Sequence, residues 1–149
     1  WDLRRRVREA LMAEETRPRM HGELVSFGYK YGVPRDADLL FDVRFLLNPH
    51  YVPELNPLTG LDAPVADYVA AAPGMDEFRA RLESLLDFLL PAYAQEGKSS
   101  VVVGIGCTGG RHRSVAIAEM LASRYSRAMD VHVTHRNIDR STGAPSEPA

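Results

Sequence analysis

"VVVGIGCTGGRHRSVAIAEM" occupies residues 101–120. Val101–Ile105 is a short apolar run, the pattern of a buried strand. The period then changes. From Ser114 to Arg127, residues Val115, Ala118, Leu121, Ala122 and Tyr125 recur at helical spacing. Between strand and helix lies a turn holding the only cysteine, Cys107, with Thr108, Gly109, Gly110, Arg111, His112 and Arg113. Small residues let backbone amides approach an anion, and a following helix aims its free N–H groups and positive dipole end at the same point. Arg111 and Arg113 can add charge-assisted hydrogen bonds. A phosphate-bearing ligand is the physical expectation. The plainer alternative is a tight turn whose arginines are solvated.

Three motifs overlap here. Glycines 104, 106 and 109 spell GxGxxG, the dinucleotide fingerprint. That fingerprint needs an acidic residue at the end of the next strand, and Asp130 precedes that strand. The P-loop fails, because Arg111 and His112 stand where Lys and Ser/Thr are required. Cys107 followed by five residues, Arg113 and Ser114 matches the Cx5R(S/T) loop of cysteine-dependent phosphatases. In such a loop the arginine holds phosphate and favours the thiolate nucleophile. The preceding histidine of those enzymes is Gly106 here, and no general-acid aspartate stands out. Cys107 can equally be a small residue ending a buried strand.

Outward from this hinge, "VHVTH" (131–135) predicts a last strand, and the small polar tail 141–149 predicts disorder. Upstream, "ELVSFGYKYG" (23–32) and "ADLLFDVRFLL" (37–47) predict strands. Alternation in the second places Leu39, Phe41, Val43 and Phe45 on one face and Asp42 with Arg44 on the other. Residues 48–64, with four prolines, predict a long ordered loop carrying His50. Residues 65–72 suggest a short helix. From Asp76, the spacing of Phe78, Leu82, Leu85, Leu86 and Leu89 predicts a helix with that stripe in the core. Pro91 should kink or end it and Gly97 close it. Residues 2–13 carry Leu3, Val7, Ala10 and Leu11 on one helical face. Strands alternating with helices give an α/β, three-layer sandwich with a mainly parallel sheet, in one domain. Ligands of such sheets bind beyond the carboxyl ends of the strands, where the 106–114 turn lies.

The 149 residues, 45% hydrophobic and 26% charged, suit one globular domain with a real core. One cysteine excludes an intrachain disulfide and fits a reducing cytosol, and no signal peptide or membrane span is visible. The net charge of −2 is uneven: +3 over residues 1–35, −7 over 36–99 and +3 over 100–140. Basic ends on an acidic middle are one footprint of a polyanion partner, or ordinary surface charge. His112, His132 and His135 lack zinc spacing, so no metal and no cofactor is expected. Asp42 and Arg44 can form a structural ion pair, and His50 a loop hydrogen bond. Tyr29, Tyr31 and Tyr51 can stack bases or fill core.

"SFGYKYG", "FDVRFLLNPHYVPELNPLTGLD", "GKSSVVVGIGCTGGRHRSVAIAE" and "HRNIDR" occur in this order. Together they resemble the C-terminal domain of the RapZ/YvcJ family of bacterial RNase adaptor proteins, over about residues 20–140. The family carries an N-terminal P-loop nucleotide-binding domain, which this stretch lacks. The chain, whose first residue Trp1 is not an initiator, thus reads as that C-terminal domain alone. Residues 1–19 would be a lead-in helix and linker, 20–140 the domain and 141–149 its tail. The resemblance implies a cytoplasmic, non-catalytic α/β domain that binds a small regulatory RNA and senses glucosamine 6-phosphate. It also implies presentation of the RNA to an endoribonuclease and a homo-oligomer. By motif match the sugar-phosphate pocket would use Asp42, Arg44, His50, Cys107, Thr108, Gly109, Gly110, Arg111 and Arg113. The basic tail of the family is reduced here to Arg136 and Arg140. With Arg124 and Arg127 they make the expected RNA-binding set, while the Cx5R phosphatase with Cys107 and Arg113 stays as the alternative.

Overall fold

The computed structural model describes residues 5–6 and 19–140. The expected tail over 141–149 lies outside them, as does the expected helix over 2–13 except for Arg5 and Arg6, which are helical and exposed. Four strands, β1 (His21–Gly28), β2 (Leu39–Asp42), β3 (Ser100–Cys107) and β4 (Asp130–His135), form one sheet in the order β2-β3-β1-β4. Every pairing is parallel, with Gly28 opposite Cys107, Asp42 opposite Gly106 and Ser26 opposite His135. Three helices, α1 (Ala63–Ala70), α2 (Met75–Glu96) and α3 (Arg113–Tyr125), alternate with the later strands. The α/β class and parallel sheet are those the sequence predicts.

One buried cluster joins Leu82, Leu86 and Leu90 of α2 and Ile117 and Leu121 of α3 to Leu24 and the odd-numbered β3 residues. The opposite sheet face is covered by the segment after β1, a 3-10 turn at Tyr29–Tyr31 and its following loop. Phe27, fully buried, lies there beneath the Tyr29 ring at 4.9 Å between centroids. Gly104 and Gly106 make room for it. A Cβ on Gly106 would stand 2.5 Å from both Phe27 Cζ and Tyr29 Cε2, and one on Gly104 2.6 Å from Leu40 and 3.3 Å from Phe27. Helices, sheet and this covering segment are the three layers.

Both upstream strands are shorter than their sequence patterns. β1 ends at Gly28 rather than Gly32. The Gly28 N–H is taken by Asn137 Oδ1 at 2.8 Å, and the Gly109 backbone lies where a Cβ on Gly28 would be. β2 ends at Asp42 rather than Leu47. The Val43 N–H still bonds Gly106, but the Arg44 and Leu46 carbonyls turn to the Arg113 guanidinium. Val43 and Phe45 therefore do not share a face: Val43 is buried and Phe45 exposed, edge-on to Phe78. Helix α2 runs through Pro91 to Gly97, its left-handed cap. Pro91 lies on the exposed side of the helix. Leu85 is exposed, contrary to the expected core stripe, whereas Leu82 and Leu86 are buried. The short helix begins at Ala63, two residues early, with Pro64 in its first turn.

Candidate functional site

Strand order sets the location. From β1 the chain passes over β3 to β2, and from β3 it passes over β1 to β4. The two connections leave in opposite directions, so the carboxyl ends of β1 and β3 form a topological switch point, the usual ligand position in such sheets. Tyr29 and the 108–112 turn border it, joined by a Lys30 N–H to Thr108 carbonyl bond of 3.3 Å. Gly110 closes the turn at φ +78, and its Cα sits against the Gly28 and Phe27 backbone, so any side chain there would collide. Gly109 has open space where a Cβ would be, and Thr108 is exposed. Helix α3 starts immediately after, and the first-turn N–H groups of Arg113, Ser114 and Val115 lack intrahelical acceptors by the geometry of any helix.

Cys107 is buried beneath the turn. Its Sγ accepts the Gly110 N–H at 3.3 Å and donates to Ser114 Oγ at 3.2 Å. The three basic residues of the hinge bind loop carbonyls. Arg113, only 3% exposed, donates to the Arg44 and Leu46 carbonyls at 2.8 and 3.0 Å and to Thr108 Oγ1 at 3.4 Å. Arg111 donates to the carbonyls of Ile138, Pro57 and Leu58 at 2.8–3.3 Å. His112 Nε2 lies 3.1 Å from the Asn56 carbonyl, and burial pushes its pKa down. Gly60 lets the Pro-rich loop reach the helix start: its N–H bonds the Arg111 carbonyl, and a Cβ there would meet His112 and Ala116 backbone. Two buried side-chain donors stay unpartnered among the described residues, Nε of Arg111 and Nε of Arg113. Such orphans are costly unless a water or ligand fills them.

Beside the turn, Arg44 grips Asp42 in a fork of 2.6–3.1 Å and lies over the Tyr29 ring at 4.0 Å. The Arg44 hydrogen bonds hold the Asp42 carboxyl below its ordinary range, and the same pair raises the Arg44 pKa. Partial burial raises that of Tyr29. The structure thus joins Asp42, Arg44, Thr108, Cys107, Gly109, Gly110, Arg111 and Arg113 at one place. His50 joins them through Asn56, which contacts both His50 and His112. Asn56, Asn137, Gly28 and Gly60 are the residues that reading motifs alone overlooks. The two asparagines read only as turn formers, because their partners are distant in sequence or lie on a loop of unpredictable path.

The four arginines of the expected RNA-binding set divide. Arg124 sits at the far end of α3, paired with Asp87 at 2.6 Å and Glu83 at 3.5 Å. Arg127 follows in the next turn. Arg136 and Arg140 lie at the hinge end, Arg140 over the Tyr31 ring at 4.7 Å. The six residues of β4 separate the two pairs, or about 20 Å. Tyr51 is exposed, while Tyr29 packs on Phe27. A cleft of about 750 Å³ opens at the opposite pole, near the starts of the strands, between Leu86, Leu90, Pro91, Tyr125 and Met129. It is mainly apolar and remote from the hinge. Among the described residues no three His, Cys, Asp or Glu side chains are grouped to hold a metal, and no helix is long and apolar enough to cross a membrane.

Residues 20–139 match the family described as the RapZ C-terminal domain. Similar curated proteins include one from Sorangium cellulosum, 52% identical over 150 residues, covering 97% of this chain and 42% of that protein. Another, from Desulforudis audaxviator, is 50% identical over 139 residues, covering 93% and 47%. A third, from Lactiplantibacillus plantarum, is 51% identical over 120 residues, covering 80% and 41%. All three are named nucleotide-binding proteins, and none of these names gives an enzymatic activity. The chain spans less than half the length of each.

Proposed function

This chain belongs to the RapZ C-terminal domain family, and on that premise we propose a non-catalytic regulatory domain with two ligands. The first is an amino-sugar phosphate, glucosamine 6-phosphate, held in the crevice between β1 and β3. The second is a small regulatory RNA, which a homo-oligomer would present to an endoribonuclease. The observation that carries the first is the hinge itself. The exposed Thr108 hydroxyl and an open Gly109 lie at the turn before α3, next to a carboxylate–guanidinium pair at Asp42 and Arg44. Phosphate oxygens suit the Thr108–Gly109 turn and Arg44, and an ammonium group suits Asp42.

Calorimetric titration with glucosamine 6-phosphate tests this reading. Saturable binding is expected. Arg44→Ala should weaken it about tenfold or more, the loss of a charged hydrogen bond of about 1.5–3 kcal/mol. Arg44 is exposed, so the variant should remain folded. No saturable heat from the unaltered protein would refute the pocket.

The phosphatase reading draws on the Sγ contacts to Ser114 Oγ and the Gly110 N–H. Against it, the thiol is 2% exposed and the Arg113 guanidinium is engaged by two carbonyls. Hydrolysis of p-nitrophenyl phosphate that Cys107→Ser abolishes would establish it; we expect no turnover by either protein.

RNA contact would use Arg127, Arg136 and Arg140, with Arg124 already countered by Asp87 and Glu83. Arg136 and Arg140 lie on the ligand's side of the fold, so the sugar phosphate and the RNA backbone would meet neighbouring basic groups. Weak binding by one domain would be strengthened by oligomerisation through avidity.

A further inference from the structure

Which nitrogen of His50 carries the proton follows from its neighbour Asn56. The Asn56 Nδ2 atom lies 2.8 Å from the His50 carbonyl oxygen and 2.9 Å from His50 Nδ1. A carbonyl can only accept, so the Asn56 atom facing it must be the amide nitrogen rather than Oδ1. One hydrogen of that amide goes to the carbonyl. The other points at Nδ1, which must therefore offer its lone pair. In the neutral ring the proton then sits on Nε2.

The surroundings hold this arrangement from two sides. Asn48 Oδ1 accepts the His50 N–H at 3.0 Å, fixing the backbone of the 3-10 turn Pro49–Tyr51. The Asn56 carbonyl lies 3.1 Å from Nε2 of buried His112, the residue directly before Arg113 at the start of α3. The same asparagine thus links the anion-facing hinge to the Pro-rich loop. Turning the amide over would set Oδ1 against the His50 carbonyl oxygen, two acceptors face to face.

We propose that Asn56 is a positioning residue that fixes His50 as an Nε2–H hydrogen-bond donor to an acceptor oxygen of the ligand. His50 then recognises the sugar phosphate and does not serve as a base. This rests on the reading that the crevice binds a sugar phosphate, and glucosamine 6-phosphate is the probe.

Two independent readouts test it. Long-range ¹H–¹⁵N spectra of the histidine rings, assigned with His50→Gln, should show unprotonated Nδ1 and protonated Nε2 at about pH 8, above the ordinary imidazole range. Asn56→Ala should release the ring into a mixture of tautomers, a signature that mere loss of packing would not produce. In calorimetry, His50→Gln, whose amide nitrogen takes the place of Nε2–H, should keep the affinity within about threefold. His50→Asn, whose amide reaches only the Nδ1 position, should weaken it about tenfold, the loss of one such bond. Protonated Nδ1 in the unaltered protein overturns the proposal while leaving ligand binding in place. Equal affinities of the Gln and Asn variants overturn the donor role. Failure of the unaltered protein to bind the probe overturns the pocket and the donor role together, even with the tautomer as expected.

Discussion

Glycines 104 and 106 belong to a nucleotide-binding pattern, yet side chains there would strike the Phe27 and Tyr29 rings and Leu40. Their role is steric. Gly106→Ala should destabilise the fold by about 1–3 kcal/mol, the ordinary cost of overpacking, read from urea denaturation. Gly109→Ala meets no atom and should leave stability unchanged while weakening sugar-phosphate binding at the open turn. Equal stability losses in both would contradict this division of roles. His112 gives a pH dependence of definite sign. Burial lowers its folded pKa, so the unfolded ring takes a proton first as pH falls below about 6.5. Its contribution to stability is complete above that value and is lost towards the folded pKa. His112→Gln should flatten stability between about pH 7 and 5 in chemical denaturation. At lower pH, Asp42, Asp38 and Asp87 act in the same direction. Their folded pKa values lie below the ordinary one, so what they contribute is lost as pH falls below about 4. At this scale Cys107, Arg111 and Arg113 stood out in the sequence as unusual for a turn. Their carbonyl partners did not, because those belong to a turn and loops whose paths only the folded chain defines.

The elements divide between those set by local pattern and those set by neighbours. Strand β3, strand β4 and helix α3 lie close to where residue spacing predicts them, since apolar periodicity is a local signal. Strands β1 and β2 stop early for tertiary reasons: Asn137 takes the Gly28 N–H, and Arg113 takes the carbonyls of Arg44 and Leu46. Val43 and Phe45 carry the alternation of a strand, and nothing local reveals that a distant arginine will turn the segment. Helix α2 tolerates Pro91 because that residue faces outward, a fact the hydrophobic stripe alone does not contain. Pro91→Ala restores the missing N–H and should stabilise the domain by about 1–3 kcal/mol, seen as a higher thermal midpoint. A lower midpoint would mean that the ring's packing beside Leu90 and Ala94 outweighs the recovered hydrogen bond.

Across the sheet, the order β2-β3-β1-β4 places its topological switch point where the sequence's most unusual turn arrives. The class of fold is legible in the alternation of strand and helix patterns along the chain, and residues 101–120 place the unusual turn at a strand's carboxyl end. The division of the basic residues was not: charge counts give a basic final third, whereas the fold sends Arg124 to one pole and Arg136 with Arg140 to the other. If the hinge-end arginines meet RNA, affinity should fall with salt at a logarithmic slope of about −0.7 per phosphate contact. Replacing Arg136 and Arg140 by glutamate should lower RNA binding in mobility shifts at two salt concentrations and spare the sugar phosphate. Unchanged RNA binding by the double variant would place the interface elsewhere. The crevice itself is tested most directly by mapping ¹H–¹⁵N amide shifts during titration with glucosamine 6-phosphate. Saturable shifts are expected, concentrated at Thr108–Ser114, at Asp42–Arg44 and around His50. Saturable shifts confined to the opposite pole around Leu86, Leu90 and Met129, or none at all, would contradict it.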